Sequence, residues 1–368
     1  YFASSDYMGI ASGLTLAGIG NEKIQWERTR RFNVGADANL LENRLNVRFN
    51  YFRSATDHLL MWQEMSYLSG LDKTWGNGGK LENRGFDVEA TGVVLATPSW
   101  QWQVGASVGH YKNEVTALPD GQQYMDTEIL GATVRTEIGR PANLFYGYRT
   151  QGVFSTSEEA KAAGLYVRES NGIDQTPFGA GDVHFADLDG DHFITEADRT
   201  VIGDPNPDIY GNIFTSVQYR RLRLDVRFNY SLGNDIYNYT RQQLESGSRF
   251  MNQTTALARR WQMEGQQTDI PRLTFQDPMG NSRFSDRWIE DGSYLRLKTV
   301  TLSYDWPISS TFLQGLQFWI QANNLFTATR YLGSDPEGAA LSTVLGQGID
   351  AGSLPQSRNF MVGIKINL

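Results

Sequence analysis

The sequence predicts an all-β protein, a transmembrane antiparallel β-barrel. Three observations carry that reading. Apolar and polar residues alternate with a period of two, several alternating segments run to nine or more residues, and long polar inserts separate some of them. A helix would show a 3.6-residue period instead. Strands in soluble proteins are usually about 5–6 residues long, whereas a tilted strand needs about 9–11 to cross hydrocarbon.

The segments follow one another along the chain. In RFNVGADANL, Phe32, Val34, Ala36, Ala38 and Leu40 share one face, and in RLNVRFNYF, Leu45, Val47, Phe49 and Tyr51 do the same. RGFDVEATGVVL contributes Phe86, Val88, Ala90, Gly92 and Val94; WQWQVGASVGH contributes Trp100, Trp102, Val104, Ala106 and Val108. RLRLDVRFNYSLG sets Leu222, Leu224, Val226, Phe228, Tyr230 and Leu232 against Arg223, Asp225, Arg227, Asn229 and Ser231. GLQFWIQAN and the final NFMVGIKINL close the series. A barrel in lipid turns its apolar phase outward and its polar phase to a wet lumen. Arg48, Asp87, Glu89, Arg223, Asp225 and Arg227 are therefore expected on the lumen wall. Trp26, Trp62, Trp100, Trp306, Tyr230, Tyr304 and Tyr331 fall near strand ends, where barrels place their aromatic girdles.

A secreted calcium-binding β-sandwich, acting as a glycan-binding or adhesive module, would share the alternation. Strand length and the charge on the polar phase favour the barrel. No stretch reaches the about 18 apolar residues of a membrane helix. The chain opens neither with Met nor with a signal peptide, so it is expected to start within a longer sequence.

Composition excludes several classes. The 368 residues hold no cysteine and carry a net charge of −8. There is no disulfide framework, thiolate metal site or cysteine nucleophile, and nucleic acid is an unfavourable partner. His58, His110, His184 and His192 form no metal-ligand spacing. Neither GxSxG nor GxxxxGK[ST] is present. The chain is not expected to be an enzyme.

The largest polar inserts are 111–143, 155–208 and 234–293, expected as extracellular loops, the last with a helix around TTALARRWQM. DLDGDHFITEAD (187–198) places Asp187, Asp189, Asp191, Thr195 and Asp198 at positions 1, 3, 5, 9 and 12 of a calcium-type loop, with the Phe193 carbonyl at position 7. His192 stands where such loops carry Gly, and Asp198 is shorter than the usual Glu. A structural calcium ion is the expected cofactor; the bland alternative is an Asp-rich turn capping its own backbone.

Seven blocks in order resemble the barrel of SusC/RagA-type TonB-dependent transporters of the Bacteroidetes. They are IGNEKIQWERTRRFNVGAD (19–37), NGGKLENRGFDVEA (77–90), IGRPANLFYGYRTQGVF (138–154), GDVHFADLDGDHFITEADRTVIGDPNPDIYGNI (181–213), NDIYNYTRQQLES (234–246), WIEDGSYLRLKTVTLSYDWP (288–307) and NNLFTATRYLGSDPEG (323–338). RNFMVGIKINL resembles the closing strand, with Leu368 in place of the usual terminal aromatic. The resemblance implies a barrel of about 22 strands, an N-terminal plug that contacts the TonB complex, and a SusD-like surface lipoprotein as lid. It implies import of oligosaccharide or oligopeptide. About ten to twelve strands are legible here, so the chain is expected to be the C-terminal portion of the barrel without the plug. An open sheet in lipid leaves edge N–H and C=O groups unpaired. The remaining strands are expected from the same polypeptide, then from a second chain, and last from closure of this chain on itself.

Overall fold

The computed structural model describes residues 2–7, 11–16, 20–65, 68, 73–168, 175–308, 315–338 and 344–367. Strands β1 (Phe2–Tyr7) and β2 (Ala11–Leu16) form an antiparallel hairpin. Nine further strands build one sheet: β3 (Arg28–Leu40), β4 (Leu45–Glu64), β5 (Lys73–Ala96), β6 (Trp100–Ala117), β7 (Ile209–Tyr219), β8 (Leu222–Leu232), β9 (Tyr294–Trp306), β10 (Gly315–Thr329) and β11 (Asn359–Asn367). Their order across the sheet is their order along the chain, and every neighbouring pair is antiparallel.

In an up-and-down meander alternate connections fall at opposite ends. Residues 41–44, 97–99 and 220–221 are turns at one end, where β9 also passes to β10; β4 passes to β5, and the inserts 118–208, 233–293 and 330–358 connect strands, at the other. The tight turn at 41–44 holds Leu41, Glu42 and Asn43 at positive φ. Strand β6 runs on to Ala117, so the insert expected from 111 starts later. Its small strands, Leu144–Tyr148 and Thr150–Val153, pair with Arg199–Gly203 and Val183–Phe185 of the same insert rather than joining the large sheet.

The register keeps each phase on one face. Val217, Leu224, Leu302, Ile320 and Val362 form a row across five strands. Asp37, Arg48, Glu89, Ser107, Asn212, Asn229 and Arg296 form another on the opposite face. A water-soluble sandwich would bury the first row. Here Ile320 is 53% exposed, Phe360 75% and Val362 79%. An apolar face of this extent requires a non-aqueous neighbour. Thr215, a polar residue on that face, is satisfied by the Trp102 indole N–H at 2.9 Å. Trp100 packs on Tyr219 and Trp306 on Tyr304 near the short-turn end, as a girdle does. Tyr331 departs from that expectation. It lies inside the long inserts, 5% exposed, with its hydroxyl on Asp350.

The buried core sits in the inserts, not in the sheet. Phe154, Leu165, Phe178, Val183, Phe185, Ile194 and Met279 form one cluster; Ala132, Val134, Phe145, Tyr237, Trp288 and Ile349 belong to a second. The helix expected around TTALARRWQM is only a 3₁₀ turn, Thr255–Arg259, because Arg260 already has extended ψ. The α-helix of that insert is Tyr239–Glu245, where the Asn238 side chain accepts the Arg241 N–H. No described helix is long and apolar enough to cross a membrane, which says nothing of strands.

Candidate functional site

The polar face places the sequence-expected residues together. Arg48 reaches Asp37 at 2.8 Å and Glu89 at 3.4 Å across two strand boundaries. Arg223 pairs with Asp225 at 2.9 Å along its own strand. Asp87 and Arg227 make no side-chain hydrogen bond or ion pair with another described residue. Exposed pairs of this kind contribute little stability, about 0–1 kcal/mol each. Their effect is to keep the face wet.

Sequence reasoning missed a second feature of this face. Phe52, Tyr210, Phe214 and Trp319 lie on the polar phase, and each ring occupies the space where a side chain would stand on a glycine of the next strand. A Cβ on Gly85 would meet Phe52 at 2.7 Å, on Gly109 Tyr210 at 2.7 Å, on Gly105 Phe214 at 2.4 Å, and on Gly363 Trp319 at 2.4 Å. Such pairs protect glycine backbone and pin register. The sequence signal was the break in alternation, as in FNYF and QFWIQ; the glycine partners come from other strands.

Above the wall the inserts are tied by polar contacts. Arg296, 3% exposed at the upper end of β9, donates to Asp335, to Glu337 at 2.5 Å and to Thr327 at 3.0 Å. Burial opposes the charge on Asp335, but Arg296 and the N–H groups of Gln356 and Glu337 outweigh it and hold the carboxyl low. A β-bulge at Lys298 re-aims that side chain to Glu337 at 3.1 Å. Arg241 bridges Glu245 and Glu290 at 3.1 and 2.9 Å.

The Asp-rich loop divides into two parts. Carboxylate oxygens of Asp187, Asp189 and Asp191 lie within 4.8 Å of one another. Asp187 accepts the N–H groups of Gly190 at 2.8 Å and His192 at 3.0 Å, Asp189 that of Asp191, and Asp191 that of Phe193 at 2.7 Å. Gly190 and His192 both take positive φ, so His192 supplies the sharp turn expected of Gly. Asp198 is elsewhere: fully buried, its two oxygens accept the N–H groups of Leu188 and Thr195 at 2.8 Å each. Thr195 caps Ala197 at 3.2 Å. Desolvation of Asp187 is outweighed by the His192 and Gly190 N–H groups, which lower its pKa. Asp189 accepts one N–H, yet slight desolvation and the carboxylates of Asp191, Asp198 and Asp187 push it up. His184 stacks on Phe154 at 4.3 Å rather than joining the acidic group.

An antiparallel meander with a lipid-type apolar face, a charged opposite face and long inserts at one end is the wall of an outer-membrane β-barrel. Residues 2–172 match the family model described as TonB dependent receptor-like, beta-barrel. The chain is 29% identical to TonB-dependent receptor P3 of Formosa agariphila, aligned over 96% of this chain and 35% of that protein. It is 23% identical to TonB-dependent receptor SusC of Bacteroides thetaiotaomicron, over 94% of this chain and 32% of that one. A structure of the RagAB peptide transporter superposes with a TM-score of 0.79 at 26% identity, covering 100% of this chain and 38% of the other. The chain thus spans about a third of the length of the curated relatives it matches. Over its length the chain is thus similar to TonB-dependent receptors, and its fold is that of their β-barrel. These relatives are receptors and transporters, not enzymes.

Proposed function

We propose that this chain is the C-terminal part of the barrel of a SusC-like importer. It would take up oligosaccharide or oligopeptide across the outer membrane with TonB-supplied energy. The observation that carries the reading is the open nine-stranded wall. Among the described residues, strands β3 and β11 are its two edges, each paired on one side only. In hydrocarbon unpaired edge groups cost several kcal/mol each, so the remaining strands must pair there, in the same polypeptide or in a second chain. The full-length superposition on a transporter supports that completion. A plug within the completed barrel would make the TonB contact. The inserts crowd the mouth, where a SusD-like lipoprotein would sit as lid.

In the Asp-rich loop, Asp187, Asp189 and Asp191 fit a hard divalent cation, with the Phe193 carbonyl as the further expected oxygen. Calcium there would order the insert. Asp198, fully buried and outside the group of three carboxylates, and Thr195 would support the turn from behind.

Uptake of labelled oligosaccharide and oligopeptide pools tests the importer. Accumulation should require the receptor gene and should collapse when a protonophore discharges the inner membrane. Uptake indifferent to both contradicts the proposal.

A further inference from the structure

The insert between β8 and β9 holds a cavity of about 580 Å³ bordered by Ser248, Arg249, Phe275, Gln276, Asp277 and Arg283. Some arginines of the inserts meet carboxylates, as Arg135 does Asp126 at 2.7 Å, Arg241 Glu290 at 2.9 Å and Arg272 Asp182 at 2.8 Å; others, such as Arg149 and Arg287, donate to carbonyls. Arg249 and Arg283 form no ion pair with a carboxylate among the described residues. Arg249 is exposed and its side chain has no described partner. Arg283 is folded back over Gly280, whose missing side chain leaves room for it. It donates Nε to the Gly280 carbonyl at 3.0 Å and Nη2 to the Met279 carbonyl at 2.9 Å. Its guanidinium also lies 5.0 Å from the Tyr148 ring.

The one carboxylate at the cavity is already satisfied. Asp277 accepts the N–H of Asn281 at 2.8 Å, and the N–H and hydroxyl of Ser282 at 2.7 and 2.6 Å. The wall is anchored from behind, because Met279 belongs to a buried cluster of the inserts and Arg283 lies 4.8 Å from the Phe185 ring. Beside the guanidinium groups stands an apolar platform. Phe275 is 57% exposed and stacks on Phe250 at 5.0 Å, itself 95% exposed. Two guanidinium groups bordering one space, whose single lining carboxylate forms no ion pair with them and already accepts three hydrogen bonds, fit an oxyanion, which takes several N–H donors at once.

We infer that this pocket binds an oxyanion carried by a cargo, the anionic group on Arg249 and Arg283 and the cargo body against Phe275. Sulfate, phosphate and carboxylate share the required chemistry. The inference deepens the importer reading and rests on it for the cargo. Binding, however, is read on the intact purified receptor with no transport step, so the two fail separately.

Inorganic sulfate, inorganic phosphate and glucuronate are titrated into the intact receptor in detergent by calorimetry, at constant ionic strength set with chloride. At least one anion should bind saturably, and the strongest arm names the group. Arg249→Gln should weaken that anion tenfold or more, and Arg249→Lys less. Phe275→Ala should weaken glucuronate but not the inorganic ions. Arg249 is exposed, so Arg249→Gln leaves the fold intact even where Arg283→Gln disturbs it. No saturable binding of any of the three, or equal binding by wild type and Arg249→Gln, overturns the site whether or not the receptor imports.

Discussion

The Arg272 guanidinium lies along the fully buried Asp182 carboxylate with two contacts of 2.8 Å, one to each oxygen. Asn281 Nδ2 at 3.0 Å and the Gly179 N–H at 2.9 Å complete the carboxylate's shell. The pair joins residues 178–186 to the insert between β8 and β9. Arg272→Met leaves a buried charge with two donors fewer. Hydrogen bonds to charged groups contribute about 1.5–3 kcal/mol each. Amide exchange in residues 178–186 should therefore speed by about tenfold or more if it proceeds by local opening. Unchanged exchange removes the pair from the account of insert order.

Calcium titrated into the wild-type receptor should slow exchange across residues 187–198. Asp189→Ala should need at least tenfold more calcium for the same protection. Equal responses in the two proteins reject the cation site. Asp198→Asn should behave differently and speed exchange even without calcium, because Asp198 serves the Leu188 and Thr195 N–H groups directly.

A methyl group on Gly105 would stand 2.4 Å from the Phe214 ring. Gly105→Ala should destabilise the barrel by about 1–3 kcal/mol, the usual cost of overpacking. Phe214→Ala added to it should recover part of that loss, with a coupling of about 0.5–3 kcal/mol. Urea titration in lipid vesicles measures both. Strictly additive effects contradict the ring-on-glycine contact.

The wall was legible because its signal is local. Leu222 to Leu232 reveal their two faces without reference to any other strand, and the register confirms them. The inserts were legible only in outline. Phe145, Tyr237 and Ile349 pack together from positions far apart in sequence, so no window contains the evidence for their burial. Tyr331 looked like a girdle residue because it follows a strand, and only the fold shows Asp350 waiting for its hydroxyl. The Asp-rich loop stood out through spacing alone, yet spacing could not show that Asp198 turns inward to the backbone. Arg249 and Arg283 carried no pattern; what singles them out is that both border one cavity beside Phe275.

The central claim is that β8 faces lipid on one side and water on the other. The chain has no cysteine, so single cysteines placed from Leu222 to Leu232 can be read one at a time in receptor-bearing outer membranes. The account predicts that a membrane-impermeant maleimide labels positions 223, 225 and 227, while a lipid-confined probe labels 224, 226 and 228. Labelling that does not alternate, or water access at both sets, contradicts it.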